Sequence, residues 1–277
     1  MCGGICRLNV RKKRRRNERK AFLLFSFIIR EGLEHMRTHG VSGSTLKLLA
    51  VITMLIDHIA AAVLARLLIT GQGTPALYQI YFGMRDIGRI AFPIYCFLLV
   101  EGFDHTRDRK KYALRLLLFA LVSEVPFDLA FSGTPLEFGY QNVFFTLLIG
   151  LLTIMAFDAV FEKNEWHTAV RAVLMAAIAL GGMGLAYLMH TDYDAKGVMV
   201  ILVLYLTRKI RGLQILAGCL AFCWWELPAI VAFIPIAFYN GKRGLNIKYL
   251  FYAFYPVHLL ILYLICLGMG NAGIAVV

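Results

Sequence analysis

Long apolar runs separated by short polar linkers constrain this chain more than any other feature of its sequence. Several of these runs reach the roughly 20 residues that a helix needs to cross the hydrocarbon core of a bilayer. A hydrophobic share of 60% and a mean hydropathy of +0.69 over 277 residues exclude a soluble domain of ordinary composition. We therefore predict an all-α, polytopic integral membrane helical bundle of about nine helical segments, some of them short or interrupted, at 45–68, 87–103, 112–131, 143–161, 170–190, 197–207, 213–225, 227–239 and 249–268.

The charge of the linkers indicates which of them share a side of the membrane. Lys and Arg residues concentrate in alternate linkers, whereas 71–84, 132–141, 191–196 and 269–277 hold only Lys196. By the positive-inside rule the basic linkers are cytoplasmic, and the N-terminus is inside too. We thus expect a multi-pass protein of the cytoplasmic (inner) membrane of a bacterium. The basic residues that give the chain its net charge of +12 are then explained by its orientation in the membrane. Nucleic acid is therefore not an expected partner.

The segment 213–239 is ambiguous when it is read by itself. A single crossing would place the basic linkers 208–211 and 242–248 on opposite faces, so an even number of crossings is predicted. Two helices of about 13 residues rise only roughly 20 Å each, which is short of a bilayer core of roughly 30 Å. The stretch Trp224-Trp-Glu-Leu-Pro228 is expected to form the turn between them.

Residues 1–43 read as a basic N-terminal extension of the organised domain 44–270. The basic run 11–16 precedes an apolar run at 21–29 that is too short to span a bilayer and is at most an interfacial helix. The pattern resembles a signal peptide without a cleavage site, and translation from Met36 is a further possibility. The six cysteines follow no metal-ligand spacing, so no metal is expected.

Charged and polar residues inside the apolar runs are the candidates for function. An Asp at the centre of a membrane helix costs roughly 2.5 to 3.5 kcal/mol on insertion scales, so Asp57 is a candidate by default. His58 follows it about 100° around the helix, and each of the two is expected to pair with a different helix. The other members of this polar set are Arg66, Glu101, Glu124, Asp128, Asn142, Asp158, Glu226 and His258, with Arg85, Asp86 and Arg89 at the mouth of the second predicted helix.

Lys47 and His58 are separated by 11 residues, or almost three helical turns. They should share one face of the first helix, with Lys47 at the cytoplasmic mouth and His58 roughly 16 Å deeper. An imidazole there suits proton transfer. The alternative is a buried histidine that only satisfies a backbone carbonyl, and that reading stays open for His258 in particular.

Five blocks of the sequence resemble the TraX family, which is named for a conjugation protein that acetylates the N-terminus of pilin. They are Ser44 to His58, Gly88 to Phe103 with His105 and Thr106, Ser123 to Asp128, Asn142 to Thr146, and Phe254 to His258. More loosely, the chain is similar to the acyltransferase-three group of membrane enzymes, which pair a basic residue with a histidine eleven positions later. That group also has a paired basic motif, which Lys111 and Arg115 would fill with a different spacing.

The resemblance implies a TraX-like transmembrane acyltransferase domain at 44–270 that moves acetyl from cytoplasmic acetyl-CoA to an acceptor at or beyond the membrane. The acceptor would be an unidentified peptide, glycan or small molecule that presents an amine or a hydroxyl. Membrane lipid is a further expected partner, because it surrounds the protein. His58 would be the general base, with Asp57, His258 and Glu101 as further catalytic candidates. The candidate donor site consists of Lys47, Arg107, Lys111 and Arg115, and the candidate acceptor site of Arg85, Arg89, Glu124, Asp128 and Asn142.

Two other classes of function remain open on the sequence alone. Carboxylates and histidines across a bilayer also form the relays of proton-coupled transporters. Many transporters contain inverted repeats, and none is evident here, although 213–239 is interrupted. A non-catalytic component of a conjugation or surface apparatus is the third possibility.

Overall fold

The computed structural model describes residues 40–163, 166–245 and 248–276, with the side chains of 248–250 excepted. Most of the predicted extension 1–43 therefore lies outside the described residues. The described part contains nine helices of 12 residues or more and no β-strand beyond two isolated bridges, which confirms the all-α prediction. The helices are α1 (Gly43–Gln72), α2 (Pro75–Gly88), α3 (Ala91–His105), α4 (Arg109–Phe131), α5 (Val143–Phe161), α6 (Thr168–Leu188), α7 (Asp194–Thr207), α8 (Arg211–Phe222) and α9 (Lys248–Gly268).

Four of the described segments are long and apolar enough to cross a membrane: α1, α5, α6 and Phe251–Gly268 of α9. α5 packs against both α6 and α7, and α4 packs along α9. Leu46, Ile94, Phe97, Leu151 and Ile201 are completely or almost completely buried between these helices. The protein is thus an integral membrane bundle with an apolar interior.

Helix α1 changes its winding directly after the pair Asp57 and His58. It is α-helical from Gly43 to His58, then π-helical over Ile59–Leu64 and again over Leu68–Gln72. Its first turn is capped by Ser42, whose hydroxyl accepts a hydrogen bond from the Thr45 N–H at 3.3 Å. π-helical turns widen a helix locally and are frequent at functional sites. This one rotates the residues after His58 relative to those before it.

The prediction of a simple linker at 71–84 is wrong, because most of that stretch belongs to α2. Thr74 caps the helix by accepting from the Leu77 N–H at 3.1 Å, and Pro75 occupies its first turn, where a missing N–H costs nothing. Polar residues interrupt the apolar pattern of α2, so hydropathy alone did not reveal it. α2 packs on α1 and carries Arg85, which therefore lies on a separate helix from the one predicted at 87–103.

The ambiguous region forms a helical hairpin in which α8 is followed by a short segment, Leu227–Ala237, that begins as a 3₁₀-helix and ends as an α-helix. The two halves pack against each other. Arg211 at the start of α8 lies 5.4 Å from the ring of Tyr239, just past the end of the hairpin. The chain therefore leaves and returns at the same end of the bundle, as the predicted even number of crossings requires.

Two groups of linkers gather at opposite ends of the bundle. At one, the Lys47 end, the backbone N–H groups of Val41 and Gly43 donate to the carbonyls of Phe238 and Lys242, both at 2.8 Å. At the other, the Asp192 end, the N–H of Asp192 donates to the carbonyl of Gln141 at 2.8 Å. Linkers predicted on one side from their charge thus lie together.

This arrangement predicts the labelling pattern of engineered cysteines in intact cells. Cysteines placed in 132–141 or at 225–228 belong to the Asp192 end and should react with a membrane-impermeant maleimide added from outside. Cysteines at 106–108 or 240–243 belong to the Lys47 end and should react only after the membrane is permeabilised. Labelling of 240–243 from outside would contradict both the orientation and the hairpin.

Candidate functional site

Two cavities open into the part of the bundle that the structure describes. The smaller, of about 190 Å³, is lined at the Asp192 end by Arg85, Arg89 and Asp192 and extends to Asp57 and His58. The larger, of about 580 Å³, is lined at the Lys47 end by residues such as Lys47 and Glu101. We call them the small cavity and the large cavity. Met54, Tyr95 and Val143 line both, so the two cavities meet at these three side chains.

The histidine predicted at mid-membrane pairs with the other histidine of the candidate set. His58 Nδ1 lies 2.7 Å from His258 Nε2, and the two rings stack with 5.0 Å between their centroids. His258 Nδ1 in turn lies 2.7 Å from the carbonyl oxygen of Phe254, one turn earlier on α9. The two positions are 200 residues apart in the chain and meet only because α9 packs against α1.

This chain of hydrogen bonds determines the tautomer of both neutral rings. The Phe254 carbonyl can only accept, so His258 carries its proton on Nδ1 and its Nε2 is an acceptor. His58 must then donate from Nδ1, which leaves the lone pair on His58 Nε2. That nitrogen has no hydrogen-bond partner in the part of the chain that the structure describes, and His58 lines the small cavity. His58 is thus arranged to accept a proton from a ligand in that cavity.

Asp57 pairs with a different helix, as predicted. Its Oδ2 lies 2.8 Å from Arg85 Nη1 on α2, while its Oδ1 is buried without a hydrogen-bond partner among the described residues. α1 and α2 approach closely here because position 88 is a glycine: a Cβ on Gly88 would collide with the side chain of Asp57. The carboxylate and the imidazole therefore act through separate partners, the arginine and the second histidine.

The Asp192 end contributes one charged residue that was not among the predicted site residues, Asp192 itself. The Tyr140 hydroxyl donates to Asp192 Oδ1 at 2.7 Å, and Arg89 Nε lies 3.3 Å from Glu226 Oε1. Desolvation raises the pKa of the Asp192 carboxyl, against the opposing effects of the Tyr140 hydrogen bond and of the Arg89 and Arg85 charges.

The backbone is strained in the loop 190–194, which contains Asp192. His190, Tyr193 and Asp194 all have positive φ, at 50°, 67° and 36°, which is uncommon for residues other than glycine. Such strain concentrates at functional sites and persists only where the surroundings hold it. The ring of Tyr193 stacks on Phe92 at 3.7 Å, which holds the loop against α3. A signal for this part of the site was present in the cluster of polar residues 190–194, which lies in a short linker between two apolar runs.

Two of the four residues of the predicted donor site line the large cavity. Lys47 and Arg115 line it, together with Arg243, which the sequence analysis did not propose. Lys47 also lies 5.9 Å from the ring of Phe251 on α9, the helix that holds His258, so Lys47 and His58 share a face as predicted. The other two basic residues do not line the cavity. Arg107 is exposed, and Lys111 is 76% exposed and pairs with Asp108 at 3.2 Å.

Four predicted residues lie away from the histidine pair. Glu101 lines the large cavity and pairs with Arg211 at 3.1 Å. Asn142 caps α5 by accepting from the Phe144 N–H at 3.0 Å and donates its amide to Glu124. Asp128 accepts from the Glu137 N–H at 2.8 Å. None of the three residues Glu124, Asp128 and Asn142 lines a cavity. Their hydrogen bonds instead hold the linker between α4 and α5.

The family model described as TraX protein matches residues 42–266 of this sequence. The chain belongs to the TraX family. The match begins at Ser42, the cap of α1, and ends within α9, so both histidines and the charged residues of both cavities lie inside it.

This TraX-family chain is also similar to the probable fimbrial assembly protein FimC, serogroup H1, of Dichelobacter nodosus. The two are 31% identical over 258 residues, which cover 82% of this chain and 96% of the relative. No solved structure matches the chain. The looser similarity to the acyltransferase-three group stays a prediction. The described residues contain no group of three or more His, Cys, Asp or Glu side chains that could hold a metal ion.

Proposed function

We propose that this TraX-family protein is a membrane-embedded acetyltransferase. Acetyl-CoA would enter the large cavity from the cytoplasm, and an acceptor amine or hydroxyl would occupy the small cavity. The observation that carries the proposal is that the two cavities reach inward from opposite ends and meet beside a histidine with a free basic nitrogen. A group transfer between two compartments needs such a meeting point.

The charge and shape of the large cavity support acetyl-CoA as its occupant. Lys47, Arg115 and Arg243 can form charge-assisted contacts with the phosphates of the nucleotide. From Lys47 to Met54, at the junction, α1 rises roughly 10 Å, which an extended pantetheine arm can cover. The walls between them are apolar and aromatic and suit that arm. The thioester would then lie at the junction.

The small cavity supports an amine as the acceptor. Asp192 and Asp57 are carboxylates that attract an ammonium group, and His58 Nε2 can remove its proton before attack. Pilin acetylation in the TraX family and the fimbrial assembly function named for the relative favour the N-terminal amine of a pilin-like subunit. We propose this subunit as the acceptor and the inner membrane of a bacterium as the location.

The test is acetyl transfer by the purified protein. Protein reconstituted in lipid nanodiscs is incubated with acetyl-CoA labelled in the acetyl group and with peptides whose N-terminal amine is either free or blocked. We expect labelled peptide with the free amine only, and slower release of free CoA by hydrolysis when the amine is blocked. Intact acetyl-CoA under all conditions would contradict the proposal and would favour the transporter or a non-catalytic role in surface assembly.

Donor binding can be separated from chemistry by two matched substitutions on α4. Arg115→Gln removes a cation from the wall of the large cavity, and the loss of a charge-assisted contact of about 1.5 to 3 kcal/mol should raise the KM for acetyl-CoA about 10-fold or more. Lys111→Gln, one turn earlier, removes a cation that lies outside the cavity and should leave the KM unchanged. Equal effects of the two would place the phosphates outside the large cavity.

A further inference from the structure

One of the described side chains that line both cavities can donate a hydrogen bond. Of the three side chains that line both cavities, Met54 has only a thioether and Val143 has no polar atom, whereas Tyr95 has a hydroxyl. The backbone N–H groups of Met54 and Tyr95 lie inside α1 and α3 and are used within those helices, and the N–H of Val143, the first residue of α5, is hydrogen-bonded to the Tyr255 side chain. Among the side chains that line both cavities, Tyr95 alone can therefore donate a hydrogen bond.

The Tyr95 hydroxyl has no hydrogen-bond partner among the described residues. Other tyrosines of this interior are used by the protein: Tyr140 donates to Asp192 at 2.7 Å, and Tyr205 donates to Asp158. The hydroxyl of Tyr95 is thus available to a ligand and is not part of the network that holds the fold.

The junction lies close to the proton acceptor. Met54 and His58 are four residues apart on the α-helical part of α1, which is about one turn and roughly 6 Å along the axis. Tyr95 and His58 both line the small cavity, from α3 and α1 respectively. A reacting carbonyl at the junction would have the base on one side and the hydroxyl of Tyr95 within the same space.

We propose that the Tyr95 hydroxyl donates a hydrogen bond to the thioester carbonyl oxygen of acetyl-CoA and stabilises the oxyanion that forms there; the proposal rests on the acetyltransferase function proposed above. The two cationic residues of the small cavity are less suited to this role, because Arg85 is held by Asp57 at 2.8 Å and Arg89 by Glu226 at 3.3 Å. A fixed donor acts most strongly where water is excluded.

The step balances with the groups that the proposal names. The step starts from the neutral amine, after the ammonium proton has passed through His58 Nε2 to solvent. The amine nitrogen forms a bond to the carbonyl carbon while the restored His58 Nε2 takes one of its protons, and the C=O electron pair moves onto the oxygen bound to Tyr95. That pair then re-forms the C=O bond, the C–S bond breaks and its electron pair leaves with the CoA sulfur, and the proton on His58 passes to the thiolate. The products are the N-acetylated acceptor and free CoA.

The experiment compares Tyr95→Phe with the wild type in reconstituted protein. Turnover is measured with the free-amine peptide, and also as acetyl-CoA hydrolysis, in which water replaces the acceptor. Phe keeps the ring between the cavities and removes only the hydroxyl. We expect kcat to fall roughly 10² to 10³-fold in both reactions, the range for loss of one oxyanion donor, with the KM for acetyl-CoA unchanged within about twofold.

The matched control is Tyr78→Phe on α2, where the side chain is 47% exposed and lines neither cavity, and it should not change kcat. A kcat of Tyr95→Phe within about threefold of the wild type would overturn the proposal, and so would an effect on KM alone. A wild type that neither transfers nor hydrolyses acetyl-CoA would overturn the acetyltransferase function itself. If Tyr95→Phe does not fold, Tyr95→Gln, which keeps a donor, should retain more turnover than Tyr95→Leu, and equal rates would count against Tyr95.

Discussion

Replacing His58 by Gln is expected to lower acetyl transfer roughly 10² to 10⁴-fold, the usual range for loss of a general base, while acetyl-CoA binding is retained. The glutamine amide can still donate to His258 Nε2, which keeps the hydrogen bond of 2.7 Å between α1 and α9. It has no basic nitrogen in place of His58 Nε2. Acetyl-CoA binding and transfer should be measured on the same folded sample, and full transfer activity there would end the catalytic interpretation of His58.

Graded effects are expected at the neighbouring positions. His258→Gln should be milder than His58→Gln, because it disturbs the tautomer of the base but leaves the base in place. Asp57→Asn should also be milder if Asp57 only positions or polarises the site. His167→Gln, at the exposed cap of α6, is the matched control and should behave as the wild type. Loss of expression in both the His58 and the Asp57 variants would instead support a structural polar pair.

The second large effect is expected on stability, from Arg85→Met. Removing the arginine leaves the Asp57 carboxylate unpaired inside the bundle, with its Oδ1 already without a partner among the described residues. Loss of one partner from a fully buried pair costs about 3 to 5 kcal/mol. The side chains of Arg85 and Asp57 are 25% and 14% exposed, so about 2 to 3 kcal/mol is expected here.

The double variant Asp57→Leu with Arg85→Met tests whether the destabilisation comes from the charge that a single substitution leaves unpaired. It leaves neither charge behind, so its unfolding temperature in detergent should lie above that of Arg85→Met alone. Lys111→Met breaks an exposed pair with Asp108 and should leave the unfolding temperature unchanged. Asp57→Leu alone completes the cycle: if its effect and that of Arg85→Met add in the double variant, Asp57 and Arg85 are not coupled, contrary to the structure.

Much of the architecture followed from local patterns. Hydropathy and linker charge predicted the class of fold, the interrupted hairpin and the linkers that share an end, because burial in lipid and loop charge act on each segment separately. Helical periodicity placed Lys47 and His58 on one face and directed Asp57 and His58 to different partners. Those inferences needed only the spacing of residues along one helix.

The partners themselves were decided by tertiary structure. No local pattern pairs His58 with His258 across 200 residues, because that contact depends on how α9 packs on α1. Helix α2 was missed because its apolar pattern is interrupted, although its cap at Thr74 was readable. The direction of a side chain also decided which basic residues face the large cavity: Arg115 lines it, whereas Lys111, one turn earlier, points to solvent.

The sequence by itself thus determined that this protein is a membrane bundle with polar side chains inside its apolar helices, and that His58, next to Asp57, is a candidate base. Only the tertiary structure decided that two cavities among the described helices meet at Met54, Tyr95 and Val143. A cavity is the space left between helices, and its shape depends on the packing of side chains that are distant in the chain. Tyr95 is one tyrosine among 13 in the sequence, and its position at the junction of the cavities, with its hydroxyl unpartnered among the described residues, became visible only when α1, α3 and α5 were packed together.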